Sequence, residues 1–492
     1  MLQYIKKYPF FVITIPLFFI LHGFLENFGF ITIREGLLLA AVYCSGAVLL
    51  YLLLLVFFRN AGRAGLVAAY LLVASLFFGA CQDFLTLHAG PMGKYSVLLS
   101  LLLLLFIVVI WAVRKSTRLS RPILLLNLVF ITCTALDAVL LAASFIHPPP
   151  DKLSVAAIPA ILSQPITGAK PDIYYLIFDE YASSLSLRQC YGYQNDLDAW
   201  LQHKGFRVQA NSASNYNYTQ ASVASMLNLS YINGIKDSSF FTIKDMNHCM
   251  ALIRENEVIK FLSRNGYDII NCSTFDLAGN PAPVSEILLP VKTRLITANT
   301  LWERVYKDLG WVLVMGKFEI KWLSDRRLYQ SRENDLRLLD MIKKQSSIRA
   351  PHPVFVFGHI YMPHEPFYCD KNGRLKDRKT ISGEANLPAS AYLDYLTYTN
   401  TVIKQLIDTI QQNTRGQAAI ILMGDHGFRQ DILKNIPRNY QDMNAVYFPA
   451  RDYHLWQDSI TCVNQFRITF NTLFHSSIPL LKDSTIFLNG KQ

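Results

Sequence analysis

The chain runs to 492 residues, more than one ordinary core organises, and it is 51 % apolar but only 17 % charged, which excludes a disordered protein and a wholly soluble one. Its eight cysteines are sparse, and Cys44, Cys81 and Cys133 sit in nearly uncharged stretches, which excludes a disulfide-built scaffold. Forty-seven basic against 36 acidic residues leave a net charge of +11, compatible with nucleic acid or an anionic membrane surface until its distribution is read.

Five apolar runs come first: Pro9–Phe30, Gly36–Phe58, Gly65–Leu87, Tyr95–Val113 and Pro122–Ile146, each near the ~20 residues that cross a bilayer. A five-helix transmembrane domain over residues 1–146 is the expectation. The first run lacks the short apolar core and A-x-A-like site of a cleaved signal peptide, and four more follow it. The ends that would share one side carry Lys6, Lys7, Arg59, Arg63, Arg114, Lys115, Arg118 and Arg121, against Arg34 and Lys94 on the other. Positive segments resist translocation, so the amino terminus is expected in the cytoplasm, and an odd number of crossings places everything after Ile146 on the extracytoplasmic, periplasmic side of the cell membrane. Residues 1–146 hold ten basic and four acidic side chains, so +6 of the +11 belongs to this anchor. Nucleic acid loses its main support as a partner.

Glu26, Asp83 and Asp137 are ionisable groups within or at the ends of these spans, where a lone charge is costly. One reading makes them polar glue between helices or groups reaching the interface; the other makes them a recess, near His22 and His88, for a lipid headgroup.

Residues 147–170, rich in proline and small side chains, read as a linker. From 171 to 492 the pattern changes. Short β-branched or aromatic runs (Ile173–Phe178, Tyr267–Ile270, Val354–Phe357, Ala418–Met423, Ala445–Phe448) alternate with helical stretches such as Leu197–His203, Val258–Arg264 and Tyr392–Gln412, and glycine stops a helix at Gly205 and Gly266. This predicts an α/β domain with a mostly parallel central sheet and a ligand site at the carboxyl ends of its strands. Trp302–Trp322, with aromatic and basic residues interleaved, suits either a helix at the lipid interface or one packed on the domain's own core.

Strand ends therefore carry the chemistry. Ile173–Phe178 runs into Asp179 and Glu180, and Ala419–Met423 into Gly424-Asp425-His426-Gly427. Carboxylates and an imidazole suit a divalent ion, and the flanking glycines let the backbone turn to aim Asp425 and His426 inward. Thr219 opens a helix (Ala221, Ala224, Met226 and Leu227), either as a plain cap or as a hydroxyl nucleophile where backbone N–H groups would cradle an anion, with Asn215 and Ser222 as neighbouring substrate contacts. Val354–Gly358 leads to His359 and to Pro363-His364-x-Pro366, where two prolines stiffen the turn around His364. His364 is a candidate for binding the transferred group, protonating a leaving group or taking a second metal; His359 is a substrate contact or a structural histidine. Glu180 is a further ligand or faces solvent, and Asn444 and Arg467 support the site or only the fold.

The order strand-Asp179, Thr219-x-x-Ser222, Pro363-His364-x-Pro366, Gly424-Asp425-His426-Gly427 resembles the sulfatase branch of the alkaline phosphatase superfamily. With five spans ahead of an outer domain it is similar to lipoteichoic acid synthase and the phosphoethanolamine transferases of lipid A. The resemblance implies that Asp179, Thr219, Asp425 and His426 hold a divalent metal (zinc, manganese or calcium all occur in relatives), that Thr219 is the nucleophile and that His364 contacts substrate. Sulfatases make formylglycine from Cys or Ser in a C/S-x-P-x-R motif; Thr219-Gln-Ala-Ser222-Val lacks the convertible residue, the proline and the arginine. Transfer of a phospho-substituted headgroup from a membrane lipid, or chemistry on an envelope glycan, is thus favoured over sulfate-ester hydrolysis. Ester hydrolysis at the same site, and an inactive membrane binding module, are the alternatives.

Overall fold

The computed structural model describes residues 2–147, 153–155, 165–166, 168–284, 293–305, 321–383, 388–429 and 436–490. The expected linker at 147–170 and the aromatic stretch 302–322 fall largely outside these residues. The chain divides into two compact units, Met1–Pro150 with Glu286–Leu328, and Asp151–Ser285 with Tyr329–Gln492.

In the first unit every apolar run meets a helix: α1 (Phe11–Glu26), α2 (Ile33–Phe58), α3 (Ala61–Leu76), α4 (Phe78–Ala89), α5 (Tyr95–Lys115) and α6 (Ser120–Ile146). Three of these, α2, α5 and α6, are long and apolar enough to cross a membrane, and a fourth crossing is made by the run from α3 through Gly93 if that pair, bent by 59°, counts as one span. At the bend the Gly79 N–H donates to the Asn299 carbonyl at 2.7 Å, and a Cβ on Gly79 would stand 2.8 Å from Asn299 Cα. Helix α1, at 16 residues, spans about 24 Å at 1.5 Å per residue, short of the ~30 Å hydrocarbon core. It is nonetheless the inner helix of the unit, with Phe11, Val12, Ile15, Phe19, Ile20 and Phe24 all buried. Returning residues of the second segment join this core: Ile296 is 3 % exposed and lies where a side chain on Gly23 would be.

The second unit is built on a six-stranded sheet. Its strands are β1 (Ile173–Phe178), β2 (Arg207–Val208), β3 (Asp268–Cys272), β4 (Val354–Ile360), β5 (Ala419–Met423) and β6 (Asn444–Tyr447), in the order β2-β6-β5-β1-β4-β3. Around them stand α7 (Thr219–Leu227), α8 (Lys321–Ser347), α9 (Ala389–Asn413) and α10 (Gln465–Phe474). The central strands are buried along their whole length, as expected of strands covered on both faces. The sheet is mixed: β3, β4, β1 and β5 run parallel, whereas β6 pairs antiparallel with β5 and β2 antiparallel with β6. A parallel neighbour needs a crossover, usually helical, and among the described residues between Met423 and Asn444 the only helical turn is Pro437–Asn439. The glycines at 205 and 266 have φ of +88° and +84°, the left-handed helix stops anticipated from the sequence.

β1 is the middle of the parallel set, with β4 and β5 on either side in register from Ile173 to Ile177. The carboxyl ends of all three therefore lie side by side.

Candidate metal centre and nucleophile

Three adjacent strand ends deliver the site. Asp179 and Glu180 follow β1, His359 is the penultimate residue of β4, and Asp425 and His426 follow β5. All five are at most 2 % exposed. Glu180 carries a positive φ of +60°, a strained conformation for a residue with a side chain, and the turn brings its N–H onto Asp425 Oδ1 at 3.0 Å. The glycines flanking Asp425-His426 serve close approach rather than a left-handed turn. A Cβ at Gly424 would stand 2.6 Å from the Tyr181 carbonyl, and one at Gly427 would stand 2.0 Å from that of Arg438.

Thr219 is the first residue of α7, and no side chain caps that helix at Tyr218. The Ser222 hydroxyl, one turn on, donates to the Asp425 carbonyl at 2.6 Å and so ties the helix to the β5 end. His426 Nδ1 lies 2.9 Å from the Gly427 carbonyl, which only accepts; Nδ1 therefore carries the proton, and the Thr219 hydroxyl donates to the bare Nε2 at 3.1 Å. The same Nε2 is 3.3 Å from Asp425 Oδ2 and 3.6 Å from Asp179 Oδ1, and His359 Nε2 is 3.9 Å from Asp179 Oδ2.

The polar atoms of this cluster are conspicuous for what they lack. Asp179 Oδ1, Asp425 Oδ2 and both ring nitrogens of His359 are buried without a hydrogen-bond partner. Leaving such groups unpaired costs about 1–3 kcal/mol each, more for charges, so their convergence calls for a ligand. Asp179, His359 and Asp425 each offer one donor atom within 4.8 Å of the others. Oxygen and imidazole donors in that number fit a divalent cation and do not choose among zinc, manganese and calcium.

The electrostatics agree with the fit. Burial and the neighbouring Asp425 push the Asp179 carboxyl well above the usual range. Asp425, although equally buried, is drawn below it by His426, His359 and the Glu180 N–H. Burial lowers His426 to about 3, with Arg429 adding to it, and lowers His359 to about 4. Both imidazoles are thus neutral near pH 7 with lone pairs to give.

One neighbour of the cluster was not anticipated. Arg429, three residues beyond His426, has a side chain 11 % exposed; its N–H and Nε reach Glu180 Oε1 at 2.8 and 3.4 Å, and Nη1 donates to the Asn217 carbonyl at 3.0 Å. It stands over the Tyr218 ring, 5.7 Å from its centre, and its Nη2 is 3.4 Å from His364 Nε2. Glu180 therefore pairs with a cation instead of facing solvent. Its carbonyl accepts from Tyr392 Oη on α9, and the Tyr392 ring stacks face to face on Phe428 at 3.8 Å.

His364 lies beside this pair, on the loop after β4; its Nδ1 is 2.8 Å from the Glu365 carbonyl, and both flanking bonds, Met362–Pro363 and Glu365–Pro366, are cis. Asn215 is turned away into the fold: its amide donates to the Ser484 carbonyl and accepts from Val463 N–H. Asn444 bonds Ser212 and Gln465, and Arg467 bonds the carbonyls of Leu229 and Pro479, which makes both structural.

The acids of the helical unit separate into two settings. Asp137 is 3.2 Å from His22 Nδ1 and Glu26 is 3.7 Å from its Nε2. Asp83 is gripped by both terminal nitrogens of Arg304 at 2.8 and 2.6 Å, a bidentate pair that already satisfies it.

A mixed α/β sheet whose strand ends gather two carboxylates, two imidazoles and a helix-terminal hydroxyl makes a candidate metal site. The family model described as Sulfatase matches residues 188–466, and the chain belongs to the sulfatase family. Among curated proteins, none matches the sequence. The solved structures it resembles include the C-terminal periplasmic domain of EcEptC from Escherichia coli, at 13 % identity and a TM-score of 0.41 over 66 % of this chain and 93 % of that one. The corresponding domain of phosphoethanolamine transferase EptC from Campylobacter jejuni gives 12 %, 0.36, 65 % and 94 %, and the phosphonate monoester hydrolase of Agrobacterium radiobacter 13 %, 0.39, 66 % and 78 %.

Proposed function

We propose that the protein transfers a phospho-substituted headgroup from a membrane lipid to an acceptor through a covalent intermediate on Thr219, in a domain outside the cytoplasmic membrane. The observation that carries this reading is the Thr219 hydroxyl at a helix N-terminus, 3.1 Å from His426 Nε2 and beside the orphaned Asp179 and Asp425 oxygens. Asp179, Asp425, His426 and Thr219 would hold one divalent ion, with His359 within reach as a further donor. Such an ion lowers the pKa of the attacking hydroxyl and offsets charge on the phosphoryl oxygens.

The chain's own groups do the rest. Thr219 Oγ attacks phosphorus in line, its proton passing to solvent, and the donor's alkoxide leaves as its P–O bond breaks and takes a proton from solvent. An acceptor hydroxyl then attacks the phosphothreonine, the P–O bond to Thr219 breaks, and the hydroxyl's proton passes by way of solvent to the returned threonine oxygen. His364, beside Arg429, is placed to position the transferred group. Threonine forms no formylglycine, so the aldehyde chemistry of sulfate-ester hydrolysis has no starting residue here. Water in place of the acceptor would give the second reading, a phosphodiester hydrolase with the same first step.

The membrane unit supports a lipid donor, since an anchored enzyme meets it in two dimensions. Five crossings remain our reading: α1 is short, but it is enclosed by its neighbours, which relieves it of matching the bilayer alone. The test is incubation of detergent-solubilised protein with phospholipid, with product identification by mass spectrometry, on wild type and Thr219→Ala. A modified acceptor supports transfer, release into water supports hydrolysis, and turnover retained in Thr219→Ala refutes both.

A further inference from the structure

Next to the Asp179–Asp425 cluster lies a second set of metal-capable atoms. Glu180, His364 and Glu365 each offer one, all within 4.8 Å of one another, and Glu180 Oε2 is buried without a hydrogen-bond partner. On donor chemistry alone this trio reads as the seat of a second divalent ion.

A cation is already there. The Arg429 guanidinium reaches Glu180 Oε1 through Nε at 3.4 Å and approaches His364 Nε2 through Nη2 at 3.4 Å. His364 Nδ1 faces the Glu365 carbonyl, so it carries the ring proton and Nε2 is the acceptor toward Arg429, not a lone pair in reserve. Arginine stays charged at any working pH, and a divalent ion among the same three side chains would sit against that fixed charge. The described partners engage three of the five guanidinium N–H groups, which leaves donors for an anion.

We propose that Arg429 takes the place of a second metal ion, so that the site holds one divalent ion and the guanidinium, oriented by Glu180 and His364, binds the non-bridging oxygens of the transferred group. This rests on the reading above that Asp179, Thr219, Asp425 and His426 hold an ion. It assigns Glu180 the task of fixing Arg429 rather than ligating metal.

The test is a metal count on full-length protein in detergent. The protein is stripped with chelator, saturated with Mn²⁺, which has little taste for the eight cysteines, and dialysed; bound manganese per chain is then read by mass spectrometry. Wild type should hold one equivalent. Arg429→Met should hold two, because loss of the guanidinium frees Glu180, His364 and Glu365, and Arg429→Met/Glu180→Gln should return to one. Two equivalents in wild type overturn the proposal, as does one in Arg429→Met. Should that variant fail to fold, the wild-type count still decides between one ion and two. A wild-type count of zero removes the underlying ion reading as well, whereas one equivalent in both wild type and Arg429→Met removes only the role given to Arg429.

Discussion

Asp179 is costly to the fold by itself. It is buried, one of its oxygens has no hydrogen-bond partner, and Asp425 stands close enough to raise its pKa. A protein keeps such a group when the stability lost is returned on ligand binding. We therefore expect Asp179→Asn to raise the melting temperature measured in chelator and to abolish turnover, while in excess divalent metal the wild type becomes the more stable of the two. Thermal melts in both conditions check the reversal.

Much of this residue-level arrangement was legible in the sequence. Apolar runs ending in Asp179-Glu180 and in Asp425-His426 announce strand ends, because a buried strand can present charge only where it leaves the sheet. Thr219 was legible for a similar reason, standing ahead of a helical apolar pattern. What the sequence withheld needed strand order. His359 meets Asp179 because β4 lies beside β1, a pairing between residues some 180 positions apart that no local pattern encodes. Arg429 sits in no periodic segment, and its role emerges only from the buried Glu180 carboxylate it accompanies.

At the scale of elements, the site depends on how tightly the turn after β5 packs. Alanine at Gly427 would place a Cβ 2.0 Å from the Arg438 carbonyl and 2.8 Å from that of Gln441, both backbone atoms with little room to yield. Gly427→Ala should lower stability by about 1–3 kcal/mol, the range for overpacking, and displace His426 enough to cost roughly 10²-fold in kcat. Chemical denaturation beside steady-state kinetics separates the two effects.

Helix α8 offers a pH signature. Its Asp335 is 3 % exposed, accepts the Tyr361 N–H at 2.8 Å, and is raised by burial to about 8. The folded state thus holds a proton that the unfolded chain releases near pH 4, so stability present at low pH is lost as pH rises from 4 through 8, with a slope of up to about 1.4 kcal/mol per unit. Asp335→Asn keeps an acceptor for Tyr361 and removes that slope. Its stability should overtake the wild type toward pH 8, as measured by unfolding midpoints across the range.

The antiparallel strand β6 was the element least open to prediction, because strand direction follows from the connection and not from the composition of the strand. The same holds for the break between α3 and α4. The hydrophobic run reads through without interruption, while the carbonyl that meets Gly79 at the break belongs to Asn299, more than 200 residues away.

For the whole molecule, charge placement makes the topology testable. Single cysteines introduced at Lys94 and at Arg118, in a background without the native thiols, should differ in access: position 94 labels with an impermeant maleimide in intact cells, and position 118 only after permeabilisation. The opposite pattern would put the sulfatase-family unit in the cytoplasm.

The return of residues 286–328 to the helical unit bears on how the protein can be cut. A fragment starting near residue 150 carries Ile296 without the Gly23 face that buries it and Arg304 without the Asp83 carboxylate that neutralises it. Such a secreted fragment should aggregate, and excising 286–328 along with the anchor should restore solubility. The polypeptide therefore passes between its two compact units more than once, and no single cut parts them.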